Sequence, residues 1–147
     1  MDFRLTGEPI DPEALLATLG DTRAGAFVTF EGRIRIENQG RTVRELEYEV
    51  YGALAEKEGS RIVAEARERF GLVCAACVHR RGRLALGETA VWVAALSVHR
   101  EKAFEGCRYI IDEVKARVPI WKKEHYEDGS TEWIACAKRG PEGPPPP

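Results

Sequence analysis

The sequence predicts an α+β domain, a ferredoxin-like split βαβ core with additional antiparallel strands. Three observations carry this reading. Residues 72–79 and 90–98 are almost wholly apolar, as central strands covered on both faces would be. Residues 53–70, and a second segment from His99 to Val118, repeat apolar side chains at three- and four-residue steps, the period of a helix with one buried stripe. Between residues 43 and 126 the elements follow the order strand, helix, strand, strand, helix, strand.

In chain order, a short strand is expected near residues 2–5. A helix follows from about Pro12 to Leu19, with Asp11 as N-cap, Pro12 at the first helical position and Gly20 as its stop. In residues 27–36, Val28, Phe30, Ile34 and Ile36 alternate with Thr29, Glu31, Arg33 and Arg35. That spacing predicts a half-buried strand carrying both arginines on its polar face. The polar stretch Glu37-Asn38-Gln39-Gly40-Arg41 reads as a turn into a partner run, residues 43–51. There Leu46, Tyr48 and Val50 alternate with Glu45, Glu47 and Glu49. Cross-strand ion pairs between the arginines and these glutamates are one expectation; a ligand-facing role for the arginines is the other.

The helix over residues 53–70 should end at Gly71 and cover one sheet face. A basic loop beginning His79-Arg80-Arg81 and turning at Gly82 and Gly87 joins the two apolar strands. His79, at the end of an apolar strand, reads first as a hydrogen-bonded structural histidine. Pro119 forces Val118 into extended geometry and stops the last helix, so Ile120-Trp121-Lys122-Lys123-Glu124 continues as strand or loop. Residues 131–136 add a final strand after the Glu127-Asp128-Gly129-Ser130 turn. Residues 1–137 thus form one domain. The tail from Lys138 to Pro147, ending in four prolines, is expected to be disordered or polyproline-like.

Composition excludes several functions. The 147 residues suffice for one substantial core, with 44% hydrophobic and 31% charged residues. A net charge of -2 argues against a general nucleic-acid binder, so any anion site must be local. No apolar run approaches a membrane span, and Met1-Asp2-Phe3-Arg4-Leu5 has no signal-peptide character, which predicts a cytoplasmic protein. Cys74, Cys77, Cys107 and Cys136 read as reduced core thiols. The Cys74–Cys77 spacing sends two strand side chains to opposite faces, and His79, His99 and His125 lack the short spacings of helix-borne metal ligands, so no metal is expected. No phosphate-cradling glycine motif is present, and no cofactor is expected.

Positive charge concentrates around the last helix. His99 and Arg100 lie at the strand-to-helix junction, where free backbone amides favour anions. Lys115 falls roughly 20° from Phe104 on the helical wheel, at the border of the apolar stripe. It is therefore a candidate half-buried lysine, with a desolvated, reactive amine on one reading and a snorkelling stem on the other. Lys122 follows just beyond the helix. The two helix ends cannot both meet one ligand unless other elements or a second subunit complete the pocket.

Three separated stretches carry a family resemblance. They are Gly25-Ala26-Phe27-Val28-Thr29-Phe30-Glu31-Gly32-Arg33-Ile34-Arg35, then Val78-His79-Arg80-Arg81-Gly82-Arg83-Leu84 with Gly87-Glu88, and then His99-Arg100 with Ala103-Phe104 and Lys115 through Glu124. In this order the chain resembles the large, catalytic subunit of molybdopterin synthase over most of residues 25–133. The resemblance implies a split βαβ core of the α/β hammerhead type. It implies a sulfurtransferase that converts cyclic pyranopterin monophosphate into molybdopterin, using a thiocarboxylate on the C-terminal Gly-Gly of a small carrier subunit. A homodimer within a heterotetramer is implied as well.

By the same resemblance Lys115 and Lys122 are the catalytic lysines, Lys115 in proton transfer or orientation of the thiocarboxylate and Lys122 in electrostatic stabilisation. Arg33, Ile34, Arg35, His99, Arg100, Lys123 and Glu124 complete the substrate-contacting set. Strand alternation also allows Lys123 to point inward in place of Lys122. The family's basic contribution near the C-terminus, from a neighbouring subunit, has no clear counterpart after Trp133; Lys138 and Arg139 are the candidates for it. Two other classes predict different behaviour: a noncatalytic module gripping an acidic partner would tolerate Lys115→Arg, and a sulfurtransferase using its own thiol would depend on Cys107 or on Cys74 and Cys77. A single-stranded nucleic-acid binder would need an aromatic platform that this chain lacks.

Overall fold

A computed structural model of the chain describes residues 2–136. The two apolar runs lie side by side as β5 (Cys74–Arg80) and β7 (Thr89–Ser97), antiparallel, with Cys77 opposite Val93 and Val78 opposite Trp92. Flanking them are β1 (Phe3–Thr6), parallel to β5, and β2 (Ala26–Arg33), antiparallel to β7, giving the order β1-β5-β7-β2. Both faces of this sheet are covered, which is why its central strands carry no polar alternation. On one face α2 (Gly52–Phe70) and α3 (Arg100–Arg117) pack Ile62, Val63, Ile110 and Val114 against Ala75, Cys77, Val93 and Ala95. On the other, Leu15 of α1 (Pro12–Thr18) meets Ala76, Val78, Trp92 and Ala94.

The second sheet is built by β3 (Glu37–Asn38), β4 (Arg41–Val50), β8 (Ile120–Tyr126) and β9 (Thr131–Ala135) in that order, with β6 (Gly82–Ala85) also paired to β4. Ile34, Leu46, Leu84 and Ala90 form a small apolar cluster where this sheet meets the first. The α+β class and the split βαβ order therefore hold, and the order is shared between two sheets: β5 and β7 neighbour each other in one, β4 and β8 in the other.

Local chemistry explains the boundaries. Asp11 caps α1 by accepting from the Glu13 and Ala14 amides, a cap worth about 1 kcal/mol. Gly20 does not stop that helix; Leu19 does so in extended geometry. Gly71 ends α2 with φ +60° and its amide on the Arg67 carbonyl, as expected of a left-handed cap. Gln39 and Gly40, with φ of +51° and +77°, make the tight β3–β4 turn.

Three further expectations are corrected. The strand expected over 27–36 ends at Arg33, because a bulge between Gly32 and Arg33 diverts the backbone. Ile34 then bonds to the Glu88 carbonyl and accepts from Gly87, so Arg33 and Arg35 do not share one strand face. The partner of β2 is β7, not the 43–51 run. The expected arginine–glutamate pairs across β2 and β4 therefore do not form, and Arg33 bonds to Glu31 of its own strand at 3.1 Å. The loop between the apolar strands contains β6 and so is not wholly irregular. The Pro-rich tail, with Lys138 and Arg139, lies outside the described residues. Among the described residues no helix is long and apolar enough to cross a membrane.

Candidate functional site

The end of α3, the exit of β2 and the inward face of β8 converge on one cavity. Ile34 is buried between Leu46, Leu84 and Ala90 and serves as an anchor, with exposed Arg33 and Arg35 on either side of it. On β8, Lys122 and Glu124 alternate onto the face shared with their β4 partners Tyr48 and Leu46. From α3 comes Lys115, in the last helical turn. These groups line a polar pocket of about 110 Å³ together with Glu37 and Asn38. Four cationic side chains, Arg33, Arg35, Lys115 and Lys122, face two carboxylates there, Glu37 and Glu124. The cavity is locally positive in a chain whose net charge is -2.

Glu124 organises this wall. It is 2% exposed, accepts from the Asn38 side-chain amide at 2.7 Å and lies 3.3 Å from the Lys122 ammonium. Burial pushes its carboxyl up, but the Asn38 amide and the Lys122 charge outweigh that and hold it below the usual carboxylate range. An ionised Glu124 fixes Lys122 at the pocket wall and ties the β3–β4 hairpin to β8.

A second, narrower cavity of about 70 Å³ opens from the same place, sharing Arg33, Tyr48 and Lys115 with the first. Its walls are largely apolar, from Gly32, Val91, Ile111, Val114 and Ile120, with His79 and Cys136 among the polar groups. Gly32 has no room for a side chain: a Cβ there would meet Val91 at 2.8 Å. The site is thus a polar, cationic chamber joined to a tight apolar recess, with Lys115 at the junction. Such an arrangement holds an anion in one part and a slim, uncharged segment in the other.

Not every expected residue is here. Lys115 is exposed, not half-buried: it stands in the last turn of α3, where it lines both cavities. Lys123 faces away from the pocket, with its ammonium 5.4 Å from the Trp133 ring centre, opposite which it is paired. His99 and Arg100 are exposed at the other end of α3, about 22 Å from Lys115 along the helix. Tyr48, Asn38 and Cys136 were not singled out by sequence. For Tyr48 the signal was its place in the Leu46, Tyr48, Val50 alternation; for Asn38 and Cys136 only the pairing of distant strands reveals their position.

Cys107 is 4% exposed in the main core, and burial pushes its thiol up to about 11. A buried, protonated thiol is a poor sulfur carrier. Cys77 is buried in the same core, while Cys74 is partly exposed; all four cysteines are free.

The sequence model of the MoaE protein family matches residues 5–117. A molybdopterin synthase catalytic subunit of Oryza sativa subsp. indica is 54% identical over 109 residues, covering 74% of this chain and 56% of that protein. The chain therefore spans little more than half the length of this rice relative. A molybdopterin synthase catalytic subunit of Thermoplasma volcanium is 41% identical over 129 residues, 88% of this chain and 94% of that one. The X-ray structure of molybdopterin synthase from Staphylococcus aureus superposes with a TM-score of 0.82 at 35% identity, covering 91% of this chain and 96% of that chain.

Proposed function

The chain belongs to the MoaE protein family, and from that premise we propose that it is the catalytic subunit of a molybdopterin synthase. It transfers sulfur from the thiocarboxylated C-terminus of a small carrier subunit to cyclic pyranopterin monophosphate, forming the dithiolene of molybdopterin. The observation that carries this reading is the convergence of Arg33 at the end of β2, Arg35 just beyond it, Lys115 of α3 and Lys122 of β8 on one cavity of a net-negative chain.

The chemistry accounts for the arrangement. Opening a cyclic phosphodiester to a monoester adds negative charge, and cationic groups already in place stabilise that charge without reorganising. Arg33 and Arg35 hold the phosphate. Lys122, fixed by Glu124, stabilises the charge that develops, and Lys115 at the junction transfers a proton at the attacked side chain or orients the thiocarboxylate. The narrow recess accepts the slender Gly-Gly tail of the carrier. His99 and Arg100, too far from Lys115 within one chain, serve the site of a second copy in a homodimer, with a carrier bound to each to give a heterotetramer. Residues 1–137 form the synthase domain, the Pro-rich segment 138–147 follows it, and the protein works in the cytoplasm.

The test is conversion of cyclic pyranopterin monophosphate by this chain plus a thiocarboxylated small subunit. Wild type and Cys107→Ala should convert it, and Lys115→Ala should lose about a hundredfold or more in kcat. A wild type that binds the carrier but forms no product would point to a binding module. Loss in Cys107→Ala with Lys115→Ala intact would point to a thiol carrier.

A further inference from the structure

The sulfur-transfer reading leaves His79 without a task. This residue, 7% exposed near the end of β5, lines the narrow recess together with Lys115, Arg33 and Tyr48. Its Nδ1 lies 2.7 Å from the Arg80 carbonyl oxygen. A carbonyl only accepts, so Nδ1 carries the hydrogen, and in the neutral ring Nε2 carries the lone pair. The ring stands edge-on to Tyr48, with centroids 5.0 Å apart and planes at 85°, which fixes its orientation. Burial keeps the imidazole neutral, pushing its pKa down to about 4; the Arg80 carbonyl opposes this and the Lys115 charge adds to it.

Nε2 has no hydrogen-bond partner among the described residues. A fixed acceptor therefore stands in a recess whose cationic groups, Lys115 and Arg33, have only donors to offer. Lys115 is exposed. A structural histidine needs its Nδ1 bond to Arg80; it does not need an Nε2 left without a protein partner in a recess that a lysine also lines.

We propose that His79 is a positioning residue for Lys115, its Nε2 accepting a hydrogen bond from the Lys115 ammonium and drawing that side chain into the recess where carrier tail and substrate meet. The inference rests on the reading of Lys115 as the catalytic lysine. Two measurements test it, and one does not need turnover. In the full chain with 15N-labelled histidine, His79 should show an unprotonated Nε2 whose resonance moves in Lys115→Met, while those of His99 and His125 stay. A protonated Nε2, or one indifferent to Lys115, overturns the proposal.

In the complete synthase, His79→Asn keeps a group at the Nδ1 position only, whereas His79→Gln places an amide near Nε2. The Asn variant should lose about tenfold in kcat with KM for the pterin nearly unchanged, and the Gln variant should recover most of the loss. An Asn variant as fast as wild type, or a Gln variant no better than Asn, contradicts it. A wild type without turnover would sink the sulfur-transfer reading, and the nitrogen resonance would still decide whether His79 meets Lys115.

Discussion

Lys122 and Lys123 are neighbours with opposite surroundings, one beside Glu124 in the cavity and the other over Trp133 on the outer face. The structure therefore predicts that Lys122→Ala loses about a hundredfold in kcat, while Lys123→Ala stays within about twofold, in the same conversion assay. Alternation along β8 was legible in the sequence, but the choice between the two lysines was not. It is made by the pairing of Lys122 with Tyr48 on β4, a strand more than seventy residues away. His79 yields a second prediction at this scale. Its folded pKa of about 4 lies below the value near 6.5 of an unfolded chain, so between those limits the unfolded state binds more protons. Stability should fall as pH drops from about 6.5 towards 4, by up to about 3 kcal/mol from this group, and level off below. Urea unfolding over this range should show a shallower slope for His79→Gln; identical slopes would remove His79 as the cause.

At the scale of elements, α3 decides where Lys115 stands. Arg117, two residues on, reaches across to α2, bonding Glu58 at 2.8 Å and both oxygens of Glu65 at 2.7 and 3.0 Å. Glu65 also accepts from the Tyr109 hydroxyl. These bonds clamp the last turn of α3 to α2. Arg117→Met should cost about 1–3 kcal/mol in urea unfolding, since Glu58 and Glu65 lose the cation they share and keep only Arg61 and the Tyr109 hydroxyl, and should lower kcat by loosening Lys115. An unchanged midpoint would show that apolar packing alone holds the helix end. The helices were readable because a 3.6-residue period with a glycine or proline stop needs no partner to be recognised. The end of β2 was not, because Ile34 and Ile36 continue the alternation past the point where Glu88 and Gly87 capture the backbone. Ile36 is in fact 62% exposed. A bulge is a tertiary event, and alternation alone does not announce it.

For the whole molecule, two sheets sharing one βαββαβ order place the cationic residues at their junction, at one end of α3. The sequence showed the order of elements and the apolar cores; it did not show that β4 and β8 leave the sheet of β5 and β7, because the order of strands along the chain does not set which of them pair. The cationic groups were likewise legible as types but not as a set. Arg33, Arg35, Lys115 and Lys122 meet, whereas His99 and Arg100 remain about 22 Å away along α3. That separation is the reason for placing the latter pair in the site of a second copy. The most direct test is to mix Lys115→Ala with Arg100→Ala under conditions that exchange subunits, and to measure conversion of cyclic pyranopterin monophosphate with the thiocarboxylated carrier. Each variant alone should be nearly inactive, and the mixture should recover about a quarter of wild-type activity, because random pairing gives half heterodimers, each with one intact site. A mixture no more active than the variants would contradict the shared site and place both residues in the service of a single chain.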